Sequence, residues 1–311
     1  MLHNKTQAEH QPVRKPGQAA APYLWIAPAL VYLFFFWGYP ALFALKLSVT
    51  NATLGPESAR FTGLSNYLRL FHDPLFWLCL KNTAILVLGT VLLEVSVGLW
   101  AALYLRRANP GTGVMTVVLL LPWLFSELVT AVTWRWIFHE PFGLINVLLG
   151  WFGAGGTGWL GRPVTAMSAL LMASLWQGVG MSALVLLAAL KTIPPQLLDL
   201  SVMDGAVGWR GTRHVILPQI KGVLLLDSLL VAIKSLGAFT LVFALTGGGP
   251  GYGTEVLATW MYRLTFFHDE PGYGSAVGIC LAALFMFLVF LVFLQQKAAL
   301  HLERRATGAT A

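Results

Sequence analysis

The chain has 311 residues, of which 57% are hydrophobic and only 11% are charged. Because soluble domains carry roughly 25% charged residues, this composition excludes an ordinary soluble protein and predicts an integral membrane protein. The formal net charge of +7 is not gathered into a Lys/Arg run interleaved with aromatic residues, so we expect no nucleic-acid partner.

The predicted elements begin with a hydrophilic tail, residues 1–22, followed by an apolar run that is longer than a signal-peptide core of about 7 to 15 residues. One membrane crossing takes roughly 20 apolar residues, because every backbone amide in hydrocarbon must be satisfied within a helix. Six stretches qualify, approximately 25–48, 83–105, 114–138, 165–190, 223–245 and 275–295. We predict an all-α membrane domain over 23–298 and a C-terminal tail over 299–311.

The distribution of Lys and Arg predicts the orientation of these spans. One set of loops and tails carries Lys5, Arg14, Lys15, Arg106, Arg107, Lys191, Arg210, Arg213, Lys221, Lys297, Arg304 and Arg305. The opposite loops are longer and carry only Arg60, Arg69, Lys81, Arg162 and Arg263. We therefore predict a multi-pass protein of the plasma (inner) membrane, in contact with lipid, with both termini and the segment 191–221 in the cytoplasm.

The outer loops contain tryptophans near the predicted span ends, as expected of an interfacial aromatic belt. These are Trp77, Trp151, Trp159 and Trp260. Between Thr254 and Phe267, apolar residues repeat at helical spacing, which predicts a short helix lying in the outer interface with Thr254 as a possible N-cap.

Short motifs elsewhere lack the context that their chemistry needs. Residues 153–158 match G-x-G-x-x-G without a preceding strand, and His139-Glu140 has no second His at the spacing of a zinc helix. Cys79 and Cys280 lie far apart, and we expect both to be buried small apolar side chains. No G-x-x-x-x-G-K-[ST] motif occurs, so any nucleotide energy must come from a partner. We predict no catalytic residue, no metal site and no cofactor bound by this chain.

Several ionisable residues lie inside the predicted spans, where each costs about 3 kcal/mol on insertion scales unless it faces protein or water. They are Glu94, Glu127, Arg135, Asp227 and Lys234. Asp227 and Lys234 share a helical face, as do Glu127 and Trp134. Two interpretations stay open: a polar pathway lined by the third and fifth spans, with the mid-span Lys234 as its best candidate, or structural pairing between helices.

The segment 191–221 interrupts the apolar pattern with turn residues and charges. Pro194 and Pro195 predict a helix start, 196–203 about two helical turns, and Asp204-Gly205 a turn with positive φ at the glycine before a second helix opens there. Arg210, Arg213 and His214 share a face, and Pro218 is predicted to close the unit. This helix-turn-helix could lie against anionic lipid headgroups or dock into a cytosolic partner.

Residues 190–206 (LKTIPPQLLDLSVMDGA), followed by Trp209, Arg213 and Ile-Leu-Pro at 216–218, resemble the cytoplasmic "EAA" loop of binding-protein-dependent ATP-binding-cassette importer permeases. The chain departs from that pattern at Asp199-Leu200-Ser201, where the family usually has Glu-Ala-Ala. The acid is therefore one methylene shorter, and two small residues are replaced.

A second set of motifs resembles the maltose and glycerol-phosphate branch of these permeases. It comprises Phe239, LTGGGP at 245–250, Thr254, Tyr262, GYGSA at 272–276, FGLINVLL at 142–149 and GLSNY at 63–67. Thr240 stands where relatives often have an acid, a difference that bears on substrate preference.

The resemblance implies a type I importer permease fold with six transmembrane helices. It further implies a second homologous permease, two cytosolic ATPase subunits that hydrolyse ATP, and an extracytoplasmic solute-binding protein. Coupling to an ATPase would use Asp199, Ser201, Asp204, Gly205, Ala206, Arg213, Leu217 and Pro218.

We expect the substrate to be a sugar, a related polyol or a sugar phosphate. The candidates for its pathway are Glu127, Trp134, Asp227, Lys234 and Thr240. An ion-coupled secondary transporter would need a midplane proton or ion relay, and a membrane enzyme would need a convergent catalytic cluster; the sequence shows neither pattern.

Overall fold

The computed structural model describes residues 21–308 except 56–58, 108–109 and 154–155, with side chains described from 26 to 297. The predicted N-terminal tail, 1–22, lies outside the described residues apart from its last two. The described part is helical except for turns and one isolated antiparallel bridge between Thr50 and Phe61.

The helices follow one another with short connections. In chain order they are α1 (Ile26–Ser48), α2 (Ser65–His72), α3 (Pro74–Leu105), α4 (Thr112–Leu124), α5 (Glu127–Ile137), α6 (Leu144–Trp151), α7 (Pro163–Lys191), α8 (Pro195–Met203), α9 (Trp209–Leu236), α10 (Phe239–Leu245), α11 (Leu257–Phe266) and α12 (Pro271–Gly308). In the described residues, five helices (α1, α3, α7, α9 and α12) are long and apolar enough to cross a membrane, and α4 with α5 makes a sixth crossing if the bent pair is one span.

The third predicted span, 114–138, is not one straight helix, because α4 and α5 meet at 100°. Pro122 has no amide hydrogen to donate. The helix tightens into a final turn over Leu121–Leu124, and the backbone is extended at Phe125. Ser126 then caps α5 by accepting from the Val129 amide. Gln177 of α7 donates to the Phe125 carbonyl at 3.0 Å and so satisfies a group that the break exposes.

Three further spans differ from the sequence prediction at their ends, among them α12, which extends over Pro271–Gly308 where the sequence predicts 275–295. α3 begins at Pro74 rather than at residue 83, since Asp73 accepts from the Leu75 amide and caps an earlier turn. The fifth span is α9, which begins at Trp209 and ends at Leu236. The chain turns at Gly237, and the last part of the predicted stretch 223–245 forms the separate helix α10.

The core of the fold is the long pair α3 and α7, against which α9 packs. Glycines bring these helices close together: a Cβ on Gly98 of α3 would lie 2.9 Å from the Ser182 Cβ of α7. On α7, Gly180 lies directly against the Leu119 carbonyl of α4. α1 packs mainly on α12, and the apolar outer faces of both helices are largely exposed.

The outer loop after α10 also differs from the prediction. α11 begins after Val256 rather than at Thr254, whose hydroxyl instead lies 2.7 Å from the Gly249 carbonyl oxygen inside the loop. α11 packs on α12 and buries Trp260 almost completely. Of the four predicted belt tryptophans, Trp77 and Trp151 are exposed.

Candidate functional site

A cavity of about 160 Å³ lies between α3, α7 and α9, and three charged side chains line it. Its charged and polar lining residues are Glu94 from α3, Ser182 from α7, and Asp227 and Lys234 from α9. Apolar residues and Trp123 of α4 complete the wall. The site therefore lies where three spans meet.

Glu94 and Lys234 form an ion pair across this cavity. The Lys234 Nζ lies 2.7 Å from Oε2 and 3.0 Å from Oε1 of Glu94. Ser182 Oγ approaches Oε1 at 3.5 Å. The Glu94 side chain is 2% exposed, whereas that of Lys234 is 41% exposed. The Glu94 carboxyl is thus buried between helices, whereas the Lys234 ammonium borders open space.

The position of Glu94 depends on a glycine in the facing helix. A side chain at Gly178 of α7 would overlap the Glu94 carboxyl group, because the carboxyl fills the space where a Cβ would stand. Gly178 therefore allows an acid to lie between two tightly packed spans and to reach α9.

Asp227 brings a second acid into the same cavity, two helical turns before Lys234 on α9. Asp227 is 3% exposed, and its Oδ2 has no hydrogen-bond partner among the described residues. The free oxygen of Asp227 and the carboxyl of Glu94 can accept hydrogen bonds from hydroxyl groups. The Lys234 ammonium has one spare donor and can donate a hydrogen bond to a hydroxyl group.

The structure gathers only part of the predicted pathway. Asp227 and Lys234 line the cavity as a pair, but Lys234 lies near the end of α9 rather than in mid-span. Glu127 opens α5, Trp134 packs its ring against Phe138 with centroids 5.2 Å apart, and Thr240 is half-buried in α10. These three residues are outside the cavity lining.

Glu94 was recognised in the sequence as an intramembrane acid but not as a pathway residue. Its pairing with Lys234 joins residues 140 positions apart. The signal that pointed towards it was its burial cost alone, since the partner depends on how α3 and α9 pack.

The segment 191–221 forms a compact unit at the end of α7. Pro195 starts α8, and the helix ends at Met203 with Asp204 as its C-cap and Gly205 at φ +73°, as its turn residues predict. The Ala206 amide donates to the Ser201 carbonyl at 2.8 Å, while the Ser201 hydroxyl donates back to the Leu198 carbonyl. Ser201 is therefore used within the unit, and Asp199 points outward as an exposed residue.

The second half of this unit differs from the predicted helix-turn-helix. The next helix opens at Trp209, after Gly208 at φ +62°, and not at Asp204 or Gly205. It also continues past Pro218, because a wider turn at 212–216 lets the Leu217 amide donate to the Thr212 carbonyl and accommodates the proline. Arg213 and Leu217 thus belong to α9 itself, and Pro218 does not close the unit.

One continuous helix therefore joins the unit to the cavity. α9 runs from Trp209 to Leu236, which at 1.5 Å per residue is about 40 Å. Its first turns carry Arg210 and Arg213, and its last carry Lys234. A displacement at one end of a rigid helix must reach the other.

The unit also exposes apolar side chains that a water-facing surface would not normally present together. These are Leu200, Val202, Met203, Val207 and Trp209, each more than half exposed. Among the described residues, no group of three or more His, Cys, Asp and Glu side chains could hold a metal ion, and Cys79 and Cys280 are free thiols, the first buried and the second half-buried.

Comparisons with known proteins agree across the chain. Residues 94–304 match the family described as binding-protein-dependent transport system inner membrane component. The trehalose/maltose transport system permease protein MalF of Thermococcus litoralis is 33% identical, over 85% of this chain and 90% of that protein. The sulfoquinovosyl glycerol transport system permease protein SmoG of Agrobacterium fabrum is 31% identical, over 87% and 88%.

A solved structure is similar in fold. It is a bacterial ABC transporter involved in the import of the acidic polysaccharide alginate, one chain of which superposes with a TM-score of 0.74 at 21% identity, covering 90% of this chain and 96% of that chain. The helical arrangement described above is thus the permease fold.

Proposed function

Because the chain belongs to the family of binding-protein-dependent transport system inner membrane components and is a permease subunit of an ATP-driven importer, we propose that its substrate is a sugar or a related polyol or sugar phosphate. The two relatives named above are described as transporting trehalose/maltose and sulfoquinovosyl glycerol, both of them glycosides rich in hydroxyl groups. The chemistry of the cavity suits that class.

The observation that carries this proposal is the Glu94–Lys234 pair with Asp227 beside it. Sugar hydroxyls both donate and accept hydrogen bonds. Lys234 offers a donor towards open space, and Asp227 offers an unused acceptor. A substrate that lacked hydroxyls would leave these groups unpaired, which is costly in a membrane interior.

We further propose that 23–298 is the translocation domain, that both termini face the cytoplasm, and that the tails are 1–22 and 299–311. The unit at 191–221 then docks onto a cytosolic ATPase that hydrolyses ATP, a second permease completes the pathway, and a solute-binding protein delivers the substrate outside. The exposed side chains of Leu200, Val202, Met203 and Val207 give that docking its contact surface.

Coupling follows from the continuity of α9. Movement of an ATPase against Asp199, Asp204 and Arg213 would displace the start of α9 and, through it, Asp227 and Lys234. Glu94 is held on α3, so the pair would open or close as α9 moves against α3 and α7. This is alternating access by rigid helices around a fixed site. Glu127, Trp134 and Thr240 would line the pathway beyond the cavity.

The test is uptake by a reconstituted complex. The chain is co-purified with its partner permease and ATPase, placed in vesicles with ATP on the ATPase side, and supplied with the binding protein and labelled sugars. We expect uptake that requires ATP hydrolysis. Uptake driven by a proton or sodium gradient without ATP would instead support a secondary transporter, and transport of only hydroxyl-free solutes would contradict the proposed substrate class.

A further inference from the structure

A second and larger cavity, of about 600 Å³, lies between the end of α3 and the start of α9. Arg106 and Arg107 form one wall, immediately after the last residue of α3. Tyr104 and, one turn before it, Trp100 form a second wall, and Trp209 and Ile216 of α9 form a third. It is separate from the cavity that contains Glu94 and lies at the opposite end of α9 from Lys234.

The charged side chains that line this cavity are all positive. Its lining contains two guanidinium groups and no acid. Within the described part of the chain, neither Arg106 nor Arg107 forms a salt bridge. Guanidinium groups bind phosphate oxygens in a bidentate manner, so two adjacent arginines without an acid favour a phosphate group as ligand.

The remaining wall is aromatic and apolar, which distinguishes a lipid from a soluble anion. The rings of Trp100 and Tyr104 lie nearly parallel with centroids 6.5 Å apart. Trp100 and Trp209 are each about two-thirds exposed, at 67% and 68%. Such side chains are typical of the membrane interface, where one face meets acyl chains and the other meets headgroups.

We propose that this cavity, which we call the arginine–aromatic cavity, binds an anionic phospholipid. Arg106 and Arg107 hold the phosphodiester, and an acyl chain lies against Trp100 and Ile216. Basic pockets between transmembrane helices on the cytoplasmic side bind anionic headgroups of this kind. The proposal rests on the cytoplasmic orientation proposed above. Because Trp209 begins α9, the bound lipid contacts the helix that joins the segment 191–221 to the cavity lined by Glu94, Asp227 and Lys234.

The experiment uses the full chain in complex with its partner permease and ATPase. Binding of phosphatidylglycerol is titrated by native mass spectrometry, with phosphatidylcholine of the same acyl chains as the neutral comparison. Arg106→Gln/Arg107→Gln is compared with Lys221→Gln/Lys297→Gln, which removes two charges from exposed residues outside the cavity lining. We expect the arginine variant to lose about tenfold or more in affinity and the lysine variant less than about twofold.

Arg106→Lys/Arg107→Lys keeps both charges without the bidentate geometry, and we expect an intermediate affinity. This variant also serves as a folding control. Affinities are compared only for variants whose complex with the partner permease and ATPase remains intact. Equal losses in the arginine and lysine variants would reduce the effect to general surface charge and overturn the site.

Two other results would also overturn the proposal. Displacement of the lipid by millimolar inorganic phosphate would make this a site for a small anion. Absence of bound lipid, with Tyr104→Cys cross-linking to the ATPase, would make it a protein interface. ATP-driven uptake by the unmodified complex is measured in parallel, so failure of transport with intact lipid binding counts against the proposed function alone.

Discussion

Two ion pairs among the described residues have equally buried acids and very different surroundings. Glu255 and Arg263 in the outer loop lie 3.1 Å apart, and Glu94 and Lys234 among the spans lie 2.7 Å apart. Both acids are at most 2% exposed. The bases differ, since the Arg263 side chain is 27% exposed and that of Lys234 is 41% exposed.

The outer pair is closed by its own loop. Arg263 Nη2 donates to the Gly247 carbonyl at 2.8 Å as well as to Glu255. Gly248 lies so close to the Glu255 carboxyl that a side chain there would overlap it, and Asn82 of α3 holds the loop backbone through the Tyr252 and Glu255 carbonyls. Glu255 Oε1 and Arg263 Nε are nevertheless buried without a partner among the described residues, and neither residue lines the cavity that contains Glu94.

The inner pair borders a cavity instead. Lys234 uses two contacts on Glu94, and among the described residues its third donor has no partner. Asp227 adds an unused acceptor to the same space. Neither burial of an acid nor an unpaired oxygen separates the two pairs, because Glu255 Oε1 is unpaired as well; the difference is that the base of the inner pair is open to a cavity.

The largest effect should come from breaking the outer pair. Arg263→Met would leave Glu255 buried without its base, and removal of one partner of a buried pair costs about 3 to 5 kcal/mol. We expect loss of folded protein, measured as a lower thermal midpoint of the purified complex and a lower yield in the membrane.

The matched control is Arg69→Met. Arg69 pairs with Glu270 at 3.0 Å and lies over the Tyr273 ring, but its side chain is 54% exposed, so we expect a cost of only about 1 kcal/mol. Equal destabilisation by the two substitutions would contradict the structural role assigned to the outer pair.

The next largest effect should be a loss of transport with little loss of stability. It should follow from distorting the segment 191–221, which we propose transmits movement of the ATPase through α9 to the inner pair. Gly205 has φ +73° with open space around it, so Gly205→Val penalises the backbone rather than the packing and should distort the end of α8. We expect uptake and substrate-stimulated ATPase activity to fall by about tenfold or more, an effect equivalent to about 1.4 kcal/mol.

Gly111→Val is the control for that experiment. Gly111 also has a positive φ, +95°, and open space around it, but it lies outside the segment 191–221. Its uptake should stay close to that of the unmodified complex. Normal transport by Gly205→Val in an assembled complex would exclude the docking role of the unit.

The sequence predicted the helical class and the crossings well, because a span needs a long apolar stretch wherever it lies. The positive φ at Gly205 was equally local and is confirmed. The break in the third span was not predictable, since Pro122 is tolerated in many transmembrane helices and the break is satisfied by Gln177 from another helix. Local patterns thus determine helices, but not the contacts that let a helix break.

The same limit applies to the candidate site. Asp227 and Lys234 could be paired from their spacing on one helix, whereas Glu94 joins them only through the packing of α3 on α9 and the space left by Gly178. Pro218 was predicted to end a helix because an ordinary α-helical turn cannot accommodate it, and the wider turn at 212–216 removes that obstacle.

A smaller effect should follow from changing the inner base. Lys234→Met removes the donor that faces the cavity and leaves the Glu94 carboxyl, which borders the same cavity, without its base. We expect sugar uptake to fall roughly five- to tenfold, with a partial loss of assembled complex that removal of the acid restores. Uptake kinetics and co-purification of the partner subunits measure the two properties separately.

A paired variant decides whether charge or contact matters at this position. Glu94→Gln/Lys234→Met leaves no unpaired charge at the pair, so assembly should equal that of the unmodified complex while uptake stays low. Restoration of uptake in the paired variant would show that the lysine serves only to neutralise Glu94, and the inner pair would then resemble the outer one.

The smallest effect is expected at Asp227. Asp227→Asn keeps the size of the side chain and one carbonyl acceptor but removes the negative charge, so hydroxyl recognition should weaken by about two- to fivefold in apparent affinity with little change in maximal rate. Because Oδ2 has no partner in the described structure and the Asn carbonyl can still accept from Ser182, the thermal midpoint should change little. A marked fall in stability with normal uptake would instead make Asp227 a structural acid. Of the two residues of α9 at the inner cavity, Lys234 alone would then keep a role in transport.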